Sequence, residues 1–173
     1  FRQLRATYMW MFHMMPIGKA SDTLPLIIDS QQRLDLYRVW EKLLVSKQYC
    51  IADFWNSGCV VDGCIAYGRW NGYFYIDWDG KIMPCVFVPF YEDTVYDVYS
   101  SGRTIGDALQ APIFKNGRAW QKEYGYCNPH KENILLPCSI RDHFENFKCN
   151  ILSPGAKPEN EEAIQMLADP EIE

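Results

Sequence analysis

Four cysteines, Cys59-x4-Cys64-x20-Cys85-x52-Cys138, are the residues whose type and spacing could do chemistry in this chain. Thiolate sulfur is soft and anionic, and iron or zinc holds it deprotonated. Four such ligands satisfy either a 4Fe-4S cluster or a closed structural zinc site. Spacing does not decide between the two metals. Cysteine also packs as a small buried hydrophobe without any metal, so that alternative stands beside them. Cys50, in the middle of an expected strand, reads as core, and Cys149 is left without an assignment.

The elements that must position these thiols can be read from local pattern. Residues 73–76 and 81–83 read as two short strands, and Asp79-Gly80 between them supplies the tight turn of a hairpin. Closing that hairpin brings Cys64 and Cys85 to the same end of a ribbon although 20 residues separate them. Upstream, residues 6–15 form a near-continuous apolar and aromatic run ended by Pro16 and Gly18, the pattern of a strand buried on both faces. Asp29 or Ser30 caps a helix over 31–47, where Leu36, Tyr37, Trp40, Leu43 and Leu44 recur at helical spacing. Residues 49–54 read as the next strand. Strand, helix and strand make a βαβ unit, so the region up to residue 56 reads as the end of an α/β barrel or open sheet.

Asn56-Ser57-Gly58 interrupts the pattern and marks a domain boundary. Residues 86–102 read as loop with a short strand. Residues 105–110 and 113–124 read as short helices, with Thr104 capping the first and Pro112 opening the second. A polar helical segment follows Cys138 near 139–147, and 159–167 can form an amphipathic helix. The expected fold class is α/β, or α+β overall: a terminal βαβ part of a partial barrel over 1–56, a hairpin with short helices over 57–152, and a tail with a short helix over 153–173.

Composition excludes several classes. Of the 173 residues, 48% are hydrophobic and 15% aromatic, which rules out global disorder. The net charge is −5 and no Lys/Arg cluster occurs, so nucleic acid is not an expected partner. No apolar run approaches the roughly 18 residues of a membrane span. Seven cysteines is an odd number, which fits reduced thiols in a cytoplasmic protein better than a disulfide framework. The chain starts at Phe1, and a fragment of a longer protein is the expectation.

Several ordered blocks carry a resemblance. Gly63-Cys64-Ile65-Ala66-Tyr67-Gly68-Arg69, an aromatic strand, Asp79-Gly80-x3-Pro84-Cys85, Thr104 to Leu109, Ala111-Pro112-Ile113-Phe114 and Leu136-Pro137-Cys138 resemble the C-terminal half of radical S-adenosylmethionine (SAM) enzymes with a SPASM or twitch extension. The resemblance spans residues 9–138. It implies an auxiliary 4Fe-4S cluster held by Cys64, Cys85 and Cys138, with Cys59 as the less firmly matched fourth ligand. Cys127, or an iron left open to substrate, would replace Cys59. It also implies that the strand end at Met15, Pro16 and Gly18 lies beside S-adenosylmethionine, at the edge where α/β barrels display functional residues. The Cys-x3-Cys-x2-Cys loop that reduces SAM does not occur in this sequence. The chain alone is therefore expected to be inactive, its partners being a missing N-terminal radical SAM core and a peptide or small-molecule substrate. A non-catalytic zinc-binding module with an aromatic docking surface near Tyr91, Tyr96 and Tyr99 is the competing expectation.

Overall fold

The protein is described by a computed structural model covering residues 3–6, 8–15, 24–47, 50–53, 63–126, 133 and 136–169. It is a mixed α and β structure with small sheets and short helices. Among the described residues, no helix is long and apolar enough to cross a membrane.

The N-terminal part is a strand–helix–strand unit. Strand β1 (Met9–Met11) lies parallel to β2 (Ile51–Asp53), with Met9 opposite Ile51 and Met11 opposite Asp53. Helix α1 (Ser30–Lys47) makes the crossover. The Asp29 carboxylate accepts the Gln32 N–H at 2.8 Å, and Gln32 Oε1 accepts the Asp29 N–H at 2.9 Å, a reciprocal cap of the kind Asp29 was expected to provide. Trp40 is buried on this helix, and its indole N–H donates to the Ile51 carbonyl at 2.8 Å, which fastens α1 onto β2.

Two expectations fail here. Strand β1 is shorter than the apolar run, and it is not buried on both faces: Trp10 is 54% and Phe12 60% exposed. Among the described residues this pair has no further strand beside it to cover that face. Cys50 is exposed rather than core, because it precedes β2 instead of lying inside it.

The remainder of the chain builds one core. The hairpin β3 (Tyr75–Ile76) and β4 (Lys81–Met83) is antiparallel, with Ile76 opposite Ile82. Gly80 has φ +79°, and the Asp77 carboxylate accepts the Lys81 N–H at 2.8 Å, so one glycine and one aspartate close the turn. Strands β5 (Phe90–Tyr91) and β6 (Asp93–Thr94) follow, and β6 completes the three-stranded sheet β3-β4-β6. Helix α2 (Val95–Ser100) then occupies the segment expected to be loop. Its signal was short: Thr94 caps it by accepting the Asp97 N–H, and only Val98 of its six residues is buried.

Helix α3 (Ile105–Ala108) carries the expected Thr104 cap as a full capping box with Asp107. Helix α4 (Pro112–Gln121) has proline in its first turn and runs into a π-helical turn over Lys122–Tyr126. Ala111 offers α4 no side-chain cap; instead Glu92 reaches across from the β5–β6 link and accepts the Ile113 N–H at 2.8 Å. The short α5 (Phe144–Asn146) passes into a second π-helical turn, Phe147–Ile151. Strand β7 (Lys157–Pro158) pairs with β5, and α6 (Glu161–Ala168) buries Ala163 and Met166 in the common core. Residues 153–169 are thus part of the packed structure.

The core is aromatic. Phe90 and Phe147 meet at 5.8 Å between ring centroids, and Phe114, Ile113 and Ile151 are fully enclosed with them. One close approach governs the packing of α4: a Cβ on Gly117 would lie 2.0 Å from Cδ1 of Tyr67. Gly117→Ala should raise helix propensity by about 1 kcal/mol, yet overpacking of this kind costs about 1–3 kcal/mol or more. The expected net result is a lower urea midpoint at unchanged slope, and a more stable variant would show that Tyr67 can move aside.

Candidate metal centre

The segment from Cys64 to Tyr73 is a tight loop held by backbone bonds. Tyr73 N–H donates to the Ile65 carbonyl and Gly68 N–H to the Tyr73 carbonyl, both at 2.9 Å. Tyr67 and Gly68 both adopt the left-handed conformation, with φ +64° and +60°. For tyrosine that backbone costs about 1–2 kcal/mol, so the surroundings must hold it. They do so from every side. Tyr67 N–H donates to the Pro84 carbonyl at 3.1 Å, its carbonyl accepts from Arg118 at 2.9 Å, and its hydroxyl meets Ser139 Oγ at 2.7 Å. Gln121 adds two bonds from Nε2, to the Cys64 and Ala66 carbonyls, each 3.0 Å.

These contacts touch the neighbours of all three cysteines, and the consequence is convergence. Cys85 and Cys138 are buried in the core and Cys64 packs against it. Burial pushes the thiol of Cys64 up from 9.0 to about 11, with Cys85 adding to the rise. Burial does the same at Cys85, to about 11, with Cys138 contributing, while the hydrogen bond from Tyr73 opposes it. At Cys138 burial and then the charge of Cys64 push the thiol to about 12. Each thiol is thus raised first by burial and in part by another of the three. By contrast Cys50 and Cys149 are exposed. Among the described residues, no group of three or more His, Cys, Asp and Glu is placed so that it could hold a metal ion.

The Cys138 loop is fixed by a buried carboxylate. Asp142 accepts the Cys138 N–H at 3.0 Å, and Asp142 N–H donates back to the Cys138 carbonyl at 3.0 Å. Arg141 binds the same carboxylate through Nε at 2.7 Å and Nη2 at 2.8 Å. Arg33 of α1 adds a third guanidinium contact at 3.1 Å, which ties the strand–helix–strand unit to the Cys138 loop. The side chains are 1% exposed for Asp142, 5% for Arg141 and 13% for Arg33. Neither arginine stood out in the sequence, because its role depends on a carboxylate brought close only by folding.

His143, five residues after Cys138, holds the Leu136 carbonyl at 2.9 Å through Nε2; a carbonyl only accepts, so that nitrogen carries the proton. Its ring stands edge-on to Tyr124 at 4.5 Å, and Tyr124 stacks on Trp120 at 5.1 Å. Met15 lies buried in the same core as Cys85 and Cys138. Pro16, Gly18, Cys59 and Cys127 lie outside the described residues, as does the boundary expected at 56–58. Trp78, Tyr96 and Tyr99 are exposed on the hairpin tip and α2, while Tyr91 is half-buried between Lys81 and Lys157.

No protein-family profile, curated protein or solved structure matches the chain.

Two outcomes follow from this geometry. Between pH 9.0 and about 12 the unfolded metal-free chain holds fewer thiol protons than the folded one. Stability in urea should be complete below that window and fall as pH rises through it; a flat profile would mean that the thiols are not buried. Asp142→Ala leaves Arg141 buried without its counter-charge and should cost about 3–5 kcal/mol. A loss below 1 kcal/mol would show that the carboxylate is dispensable.

Proposed function

We propose that this chain is the C-terminal portion of a radical SAM oxidoreductase or maturase, in which Cys64, Cys85 and Cys138 hold an auxiliary 4Fe-4S cluster and Cys59 is the fourth ligand. One observation carries the reading. The three cysteines singled out by the sequence resemblance belong to one core, Cys85 and Cys138 buried in it and Cys64 packed against it, whereas Cys50 and Cys149, outside its motifs, are exposed.

The donor set suits such a cluster. A buried thiol is normally neutral, and a metal is what converts it to thiolate at neutral pH. Tetrahedral zinc with bonds of about 2.3 Å needs its sulfurs roughly 3.8 Å apart. A cluster instead takes one thiolate on each of several irons, which asks for a wider cage. Three thiols gathered in one core, Cys85 and Cys138 buried and Cys64 packed against it, are the donor type that such a cluster takes. When bound, the cluster would supply an electron relay or a substrate anchor for 5′-deoxyadenosyl-radical chemistry.

The chain's own residues have definite tasks in this reading. Tyr67 and Gln121 hold the Cys64 loop, Asp142 and Arg141 hold the Cys138 loop, and the aromatic core excludes water from the sulfurs. The open face of β1, with Tyr8, Trp10 and Phe12 in tilted ring contact along a row, is what a parallel sheet buries when further strands flank it. That supports a partial barrel completed by an N-terminal radical SAM core. Met15, in the same core as two of the thiols, supports an S-adenosylmethionine site at the end of this strand, with Pro16 and Gly18 completing it. The substrate is then a peptide or small molecule presented between the two regions, in a reducing cytoplasmic setting.

The test is anaerobic reconstitution with iron and sulfide. Equal amounts of iron and sulfide are expected in the wild type, with loss in Cys85→Ala and Cys138→Ala and full retention in Cys50→Ala and Cys149→Ala. Stoichiometric zinc without sulfide, or iron unaffected by these substitutions, would overturn the assignment in favour of a zinc module or of packing thiols.

A further inference from the structure

The phenol of Tyr73 lies 2.9 Å from Cys85 Sγ, with Tyr73 itself pinned by its backbone to the loop that carries Cys64. Backbone N–H groups of Phe87, at the longer distance of 3.5 Å, and of Val86 also reach that sulfur. Cys85 is held in place independently: its carbonyl accepts the Val88 N–H at 3.1 Å, and the two residues form an isolated antiparallel bridge. The sulfur thus stands on a fixed backbone and is approached by the Tyr73 hydroxyl.

Tyr67 offers an instructive contrast. Its ring also lies beside the thiols, but its hydroxyl is engaged by Ser139 Oγ. Among the hydrogen bonds described for the three thiols, that from Tyr73 is the one made by a side-chain hydroxyl. Tyr73 is half-buried, which limits competition from water for the bond.

We infer that Tyr73 is a positioning residue for the metal centre, donating its phenolic proton to the metal-bound Cys85 sulfur and thereby raising the reduction potential of the bound cluster. This rests on the reading of Cys85 as a ligand. The chemistry is directional. A metal-bound thiolate has no proton to give, so the phenol must be the donor. A hydrogen bond to that sulfur withdraws electron density from the iron it ligates and favours the reduced, more negative form. It also fixes the sulfur's direction before metal arrives. Hydrogen-bond partners of this kind change metal affinity by about 10–100-fold.

Tyr73→Phe removes one oxygen and keeps the ring, and Tyr96→Phe on the exposed face of α2 is the matched control. Both are reconstituted beside the wild type and compared by dye-mediated redox titration, by the EPR spectrum of the reduced cluster and by the rate of iron loss to a chelator. Tyr73→Phe is expected to have a more negative potential, altered g-values and roughly ten-fold faster iron loss. Tyr96→Phe should match the wild type. Equal potential, spectrum and release rate in Tyr73→Phe and the wild type would overturn the inference. If Tyr73→Phe does not fold, site-specific 3-fluorotyrosine at position 73 keeps the ring and strengthens the donor. The potential should then rise, and no change would overturn the inference.

Failure of the underlying reading is seen separately, in the wild type. If it binds zinc, Tyr73 is judged on the cobalt-substituted protein, where an unshifted thiolate-to-cobalt absorption in Tyr73→Phe overturns its role. A wild type that binds no metal overturns both proposals at once.

Discussion

The side chain of Tyr67 occupies the space left by the missing Cβ of Gly117, and three chain segments are tied to it. Its own loop carries Cys64, its N–H binds the residue before Cys85, and its hydroxyl binds the residue after Cys138. A left-handed tyrosine is unfavourable in isolation. It persists because the ring is completely buried and its polar atoms are paired, so several contacts outweigh one strained dihedral pair. Everything that brings the thiols together depends on that fit. Helix α4 belongs to the same arrangement, since it supplies Gly117, Arg118 and Gln121 within little more than one turn.

Burial has an electrostatic price at this centre. Three potential anions in a low-dielectric core repel one another, and each is pushed toward its neutral form by desolvation first and by its neighbours second. A cation, or a cluster of them, inverts that balance. The charges of Arg141 at Cys138 and Arg69 at Cys64 oppose the rise without reversing it. Asp142, which pushes the Cys138 thiol further up, is itself engaged by Arg141 and Arg33. That ion-pair group also determines where the Cys138 backbone lies. Because Arg33 comes from α1, the position of the Cys138 loop is mechanically linked to the strand–helix–strand unit.

That unit presents a different physical situation. Its helix and strands are joined by the buried Trp40, but β1 shows one aromatic face to solvent and α1 exposes Val39 and Val45. Parallel pairs acquire stability from coverage on both faces, which two strands cannot provide for themselves. The hairpin, by contrast, buries the successive residues Ile82 and Met83 of β4, with β6 as a further paired strand, so both faces of that strand are covered. Mixed α and β structure thus arises from two kinds of sheet with different coverage.

What could be read from the sequence alone was whatever depends on near neighbours. Asp77 to Lys81 close the hairpin, Thr104 and Asp107 cap α3, Pro112 opens α4, and residues 30–47 form a helix, because each signal lies within a few residues of its effect. Helix α2 escaped because a single turn with one buried side chain has no periodicity to detect. Cys50 and the strand around Met9 were misjudged for a related reason: an apolar run signals that coverage is wanted, not that a neighbour exists to give it. The sorting of buried from exposed cysteines, the Asp142–Arg33 pairing, the Glu92 cap of α4 and the Tyr73–Cys85 contact were decided only by tertiary structure. Each joins residues whose separation along the chain carries no information about distance in space, and each is settled by which side chains share the small dry volume around Tyr67 and the aromatic core.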